Sequence, residues 1–128
     1  MEAFAFAGFK IFTVSKTQDS IISQGVLKIV PEFSIYNAPD ANILVVLGGN
    51  SKVAYNDPEV ISWIVSRKKQ TEYFLSVCSG AFILAKAGLL EGLTATTFHT
   101  RIDELREAFP KVTVLANVRF VDNGRIIT

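Results

Sequence analysis

Apolar residues gather in short runs at 9–14, 26–30, 43–47, 73–77, 93–97 and 112–115, rich in Val, Ile, Leu and Phe. Runs of this length, separated by polar and glycine-bearing stretches, predict strands rather than helices. The runs 43–47 and 73–77 show little polar alternation, the pattern of strands buried on both faces of a parallel sheet. Between the runs the apolar period lengthens to that of helices. Asp57, Pro58 and Glu59 supply a cap, a first-turn proline and a first-turn acid. Val60, Ile61, Ile64 and Val65 then make an apolar face, and Arg67, Lys68 and Lys69 place cations at the helix C-terminus.

A second helix is predicted from Gly80 to Ala87, stopping at Gly88, and a third through Ile102, Leu105 and Phe109 before Pro110. Thr100 and Asp103 have the spacing of a capping-box variant for the third. Near the end, Asn123-Gly124 between apolar segments at 118–121 and 125–128 predicts a hairpin. Strands alternating with helices, closed by a β-ribbon, predict an α/β, doubly wound fold.

Composition narrows the function classes. The 128 residues are 49% hydrophobic and 20% charged, so the chain can bury a core and is too apolar for disorder. With no internal repeat or linker-like stretch, residues 1–128 read as a single domain. No tract of eighteen apolar residues is present to span a bilayer, so no membrane partner is expected. Thirteen basic against twelve acidic residues leave +1, and the cluster at Arg67, Lys68 and Lys69 is too short for a nucleic-acid footprint. One cysteine excludes an intramolecular disulfide framework, and one Cys with one His excludes an all-Cys/His zinc site. No cofactor or metal is therefore expected. Met1-Glu2 carries no basic leader, which makes the cytoplasm the expected compartment.

The chemistry concentrates where the 73–77 run meets Cys78, Ser79 and Gly80. A strand passing through small residues into a helix is a nucleophile elbow, here Ser-x-Cys-x-Gly in place of Gly-x-Ser-x-Gly. Ser76 and Gly80 are small because a side chain held at such a turn crowds its neighbours two positions away. The following helix would turn free N–H groups and its positive end toward the sulfur, favouring thiolate. The alternative is a small buried hydrophobe, since free cysteine is among the most buried residue types. Gly48 and Gly49 follow the 43–47 run, and at the carboxyl end of a parallel strand they would stand beside Cys78. The N–H groups of Gly49 and Ser79 would then form an oxyanion hole; the alternative for the glycine pair is a turn requiring positive φ. His99, the single histidine, ends another candidate strand and is a candidate general base or orienting group, or else a surface residue at a helix start.

These residues bring a family into view. The segments 43–49, 76–85, 87–92, 95–99, 102–105 and 118–122 closely resemble the ThiJ/PfpI family of the class I glutamine amidotransferase-like superfamily. The resemblance implies a flavodoxin-like three-layer α/β/α sandwich with a mostly parallel sheet, a reactive cysteine at the elbow and a homodimer. Family members include isocyanide hydratases, glyoxalase- or deglycase-like enzymes, intracellular peptidases, redox-sensing chaperones and sensor domains of AraC-type regulators. Peptidase and glyoxalase-like members usually carry a histidine directly after the nucleophile, where this chain has Ser79. The Cys-Ser-Gly form resembles the isocyanide hydratases and the AraC-linked sensors. The family's opening strand, its acidic residue and its C-terminal helix have no counterpart in the sequence, and Glu2 aligns on a helix about two turns beyond that acid. The resemblance therefore implies a partial domain, missing the N-terminal strand and the C-terminal helix. It also implies a small-molecule substrate or ligand. The expected activity is cysteine-dependent hydration or hydrolysis, with a ligand- or oxidation-sensing domain or an inactive fragment as the alternatives.

Overall fold

From Ile43 to Val114 strands and helices alternate as the apolar pattern predicts, although most strands are shorter than the runs that encode them. The computed structural model describes residues 1–23 and 25–128. They form two compact units, Met1–Pro39 and Asp40–Thr128.

The first unit contains helix α1 (Glu2–Phe6) and strands β1 (Val14–Ser15), β2 (Ile21–Ser23), β3 (Leu27–Ile29) and β4 (Phe33–Ser34). β1 pairs with β4 in parallel, and beside them the rings of Phe12 and Phe33 meet edge to face with centroids 5.4 Å apart. The run 9–14 yields two strand residues and the run 26–30 yields β3, which pairs antiparallel with β2 instead of joining a parallel sheet. Ile22 and Leu27 are exposed on that antiparallel pair, as is Val26 in the turn before β3.

The second unit contains β5 (Ile43–Val46), α2 (Lys52–Tyr55), α3 (Pro58–Ser66), a 3-10 turn at Arg67–Lys69, β6 (Tyr73–Ser76) and α4 (Gly80–Lys86). It continues with β7 (Thr94–Ala95), a second 3-10 turn at His99–Arg101, α5 (Ile102–Ala108), β8 (Thr113–Val114) and β9 (Ile126–Ile127). β5, β6 and β9 form a parallel sheet in that order, and β7 pairs in parallel with β8. The register aligns Leu44 with Phe74 and Phe74 with Ile126. One face of the sheet, carrying Leu44, Val46, Phe74 and Ile126, enters the core.

That register corrects the expectation that 43–47 and 73–77 are buried on both faces. Val46 and Phe74 are buried, whereas Val45 and Leu75 on the opposite face are half-buried and Tyr73 and Leu47 are exposed. The apolar cover comes from one side. It is α4, apolar along its first six residues and buried through Gly80, Ala81, Phe82, Ile83, Leu84 and Ala85. A helix without a polar face has to sit inside a core.

The helix ends follow the sequence unevenly. Asp57 caps α3 as predicted, its carboxylate accepting from the N–H groups of Glu59 at 3.0 Å and Val60 at 3.4 Å, a cap of the kind worth about 1 kcal/mol. The Thr100–Asp103 box does not form. Arg101 occupies the cap position of α5 without a side-chain cap bond, and Asp103 instead binds Arg106 at 2.6 Å. The preceding 3-10 turn takes the backbone, with the Arg101 N–H donating to Phe98 O at 2.8 Å. At the predicted hairpin, Gly124 has φ +82° and its N–H donates to Asp122 Oδ1 at 2.7 Å. Val121 and Thr128 exchange both backbone bonds and Asp122 bridges Ile127 antiparallel, so the chain turns back on β9 as predicted, although 118–121 does not extend the pairing into a strand. No helix among the described residues is long and apolar enough to cross a membrane.

Candidate active site

β6 ends at Ser76, α4 begins at Gly80, and Cys78 lies between them at φ +58°. A non-glycine residue in the left-handed region is strained by roughly 1–2 kcal/mol, and such strain collects at functional turns. Cys78 is exposed, which sets aside the buried-hydrophobe alternative. The elbow is tied from both sides. Val77 N–H donates to Val46 O at 3.0 Å, and Gly80 N–H closes the turn onto Val77 O at 3.0 Å. The Thr97 hydroxyl donates to Cys78 O at 2.9 Å.

The two glycines after β5 lie against this turn. A Cβ on Gly48 would approach Ser79 N at 2.7 Å and Cys78 Cβ at 2.9 Å, so the backbone at 48 lies directly against the elbow. Gly49 has φ +96°, and its carbonyl accepts from Ser79 Oγ at 3.1 Å and from Ser51 N–H at 2.8 Å. Both readings of the glycine pair thus have a physical basis, a positive-φ turn and a close approach. Among the described residues no hydrogen bond takes up the N–H groups of Gly49 or Ser79. Ser79 itself is 2% exposed, and the Ser76 hydroxyl on the other side of Cys78 is buried with no partner among the described residues.

His99 opens the second 3-10 turn, exposed, with its ring 4.4 Å from that of Phe98. Among the described residues no hydrogen bond joins it to Cys78. The structure therefore brings Cys78, Gly48, Gly49 and Ser79 together and leaves His99 nearby in sequence to Thr97 without a bond to the thiol.

Arg101 was not singled out from the sequence. Its guanidinium forms a bidentate pair with Glu104, at 2.7 Å and 2.6 Å, and donates to Ser51 Oγ at 3.2 Å. It also lies over the Phe82 ring, 4.1 Å from the centroid. The hydrogen bond to Glu104 raises the Arg101 pKa above its ordinary value; burial opposes this, and the charges of Glu104 and Cys78 add to it. Glu104 is held below the usual carboxylate range, first by its bond to Arg101 and, against burial, by the charges of Arg101 and Lys52. The i,i+3 spacing of Arg101 and Glu104 on a helix start was the available signal. The links to Ser51 and Phe82 span too many residues to be read from spacing.

Comparison with known proteins identifies the family and its fold. The sequence pattern of the DJ-1/PfpI family matches residues 1–128. The chain is 26% identical over 117 residues to the HTH-type transcriptional regulator GbdR of Pseudomonas aeruginosa, covering 91% of the chain and 32% of the regulator. It is 28% identical over 120 residues to an isonitrile hydratase of Pseudomonas putida, covering 93% of the chain and 51% of the hydratase. A ThiJ/PfpI family protein from Pseudomonas syringae superposes with a TM-score of 0.83 at 34% identity, over 93% of this chain and 49% of that one. The chain thus spans about half the length of the hydratase and about a third of the regulator. Its helices and mostly parallel strands have the flavodoxin-like α/β fold of these relatives, and the chain belongs to the DJ-1/PfpI family.

Proposed function

We propose that the chain carries out cysteine-dependent hydration or hydrolysis of a small molecule, most like an isonitrile hydratase. The observation that carries this reading is Cys78, exposed and strained at φ +58° with the Gly48 backbone against it. In this reading the sulfur adds to an electrophilic carbon, and the N–H groups at Gly48, Gly49 and Ser79 meet the charge that develops on the substrate. Water then adds to the same carbon and the C–S bond breaks, which releases the product and returns Cys78 as the thiolate. With an isonitrile the product is an N-substituted formamide, so the net change is addition of water and needs no redox partner. His99, beside the Thr97–Cys78 contact in sequence, is the proposed orienting or proton-transferring group.

The test is incubation of the purified chain with a small alkyl isonitrile and measurement of the formamide. Gly49→Ala is expected to lower the rate more than tenfold, about 1.4 kcal/mol, because alanine is strained at φ +96° and the backbone donor shifts. Normal kinetics in a folded Gly49→Ala variant would remove Gly49 from the site. A second reading, a ligand- or oxidation-sensing domain, is favoured by the similarity to the regulator GbdR. It predicts ligand binding, or peroxide modification of Cys78, with no turnover. Absence of turnover, binding and modification alike would leave an inactive fragment.

The partner proposed besides the small molecule is a second copy of the chain, in the cytoplasm. The exposed Ile22 on β2, Leu27 on β3 and Val26 in the turn before β3 suit a homodimer contact. Sedimentation equilibrium is expected to give twice the monomer mass, falling to one when Ile22 and Leu27 are both changed to lysine. A monomer at all concentrations excludes the dimer.

A further inference from the structure

Arg101 has no role in the elbow's own hydrogen bonding, yet two of its contacts, and a neighbour in sequence, bring it to that place. Ser51, which receives its Nη1 at 3.2 Å, is bonded through its own N–H to the Gly49 carbonyl that also holds Ser79. Phe82, under its guanidinium, lies in α4 just beyond the elbow. Thr97, just before its 3-10 turn, holds the Cys78 carbonyl. Ser51, Phe82 and Arg101 line a cleft of about 260 Å³ together with Lys52, Tyr55 and Glu104. Two cations, Lys52 and Arg101, face one carboxylate, Glu104, so the lining has a positive charge in excess.

The guanidinium is fixed before any ligand arrives. Glu104 grips its Nε and Nη2 edge, the Phe82 ring supports one face, and Nη1 has the Ser51 hydroxyl at the long end of hydrogen-bond range. A planar cation held in this way is suited to a carboxylate, which can displace the neutral hydroxyl and gain a charge-assisted bond. We infer that this cleft selects small substrates bearing a carboxylate, with Arg101 as the anchor and Lys52 as supporting charge, and with the reacting carbon turned toward Cys78. The inference rests on the reading of Cys78 as the reactive group. The Cys78 charge makes the smallest of the contributions that raise the Arg101 pKa, in keeping with a cleft that lies beside the elbow.

Alkylation tests it without knowledge of the substrate. Iodoacetate and iodoacetamide place the same reacting carbon on the thiol and differ in carrying an anionic carboxylate or a neutral amide. The ratio of their rates at Cys78, divided by the same ratio for a free-cysteine peptide, reads the charge felt by the incoming reagent. The expected value is at least about threefold above the peptide, falling to the peptide value in about 1 M salt, where screening acts over about 3 Å. Arg101→Gln should abolish the excess and Arg101→Lys should retain part of it. Glu104→Gln should enlarge it, which loss of packing alone would not do. A ratio equal to the peptide's in the unmodified chain, or one unchanged in Arg101→Gln or Glu104→Gln, overturns the carboxylate cleft and leaves Cys78 as a reactive thiol. If Arg101→Gln does not fold, the salt dependence and Glu104→Gln decide. Failure of Cys78 to react with either reagent removes both the cleft proposal and the nucleophile on which it rests.

Discussion

Replacing Gly80 with alanine is expected to destabilise the chain by about 3 kcal/mol, the upper part of the range for forcing atoms into a packed interior. An added Cβ would collide with the Val46 carbonyl oxygen and lie 3.0 Å from its carbon and 3.4 Å from Leu47 C. These are backbone atoms. Val46 sits in the β5–β6 ladder, paired with Ser76, and its oxygen already accepts the Val77 N–H at 3.0 Å, so it cannot retreat without breaking the sheet beside the elbow. Urea denaturation measures the loss, with Gly124→Ala as the control. Gly124 has φ +82° and open space around it, so alanine there meets strain of about 1 kcal/mol and no collision. Equal midpoints for the two variants would show that β5 and α4 are not in the close contact described.

Cys78→Gly is expected to move stability and activity in opposite directions. At φ +58° the cysteine carries a left-handed penalty of roughly 1–2 kcal/mol that glycine does not. Glycine gives back roughly 0.4–1 kcal/mol through the greater freedom of its unfolded chain, so the net change is a gain of up to about 1.6 kcal/mol. Little packing is lost, because the cysteine is exposed. If Cys78 is the nucleophile, turnover should fall about ten-thousandfold or more, to what binding and backbone donors alone supply. Thermal denaturation and product formation on the same preparation test both halves. A destabilised variant would argue against strain at the elbow. One that keeps its turnover would take Cys78 out of the reaction and move the function toward binding.

The cap at Asp57, the stop after α4 and the strand-to-helix turn at Cys78 were legible in the sequence because each is set by residues within a few positions of one another. The same holds for the turn at Asn123-Gly124, where a glycine and a neighbouring carboxylate suffice. Where a local pattern competed with another partner it misled. Thr100 and Asp103 had the spacing of a cap, but a 3-10 turn at His99–Arg101 took the backbone and Arg106 took the carboxylate. The runs 43–47 and 73–77 were apolar enough for two buried faces. Pairing Leu44 with Phe74 and laying α4 on that side buried one face more deeply than the other, an outcome of sheet register that no run of apolar residues encodes.

The same division applies to the site. Sequence by itself determined that a cysteine stands at an elbow between small residues, because that turn is built by its own neighbours. Its meeting with Gly48, and that of Arg101 with Ser51 and Phe82, was decided by the tertiary structure. Those contacts join separate strands, helices and turns, and they exist when the parallel sheet and α4 bring distant segments to the same end of the fold.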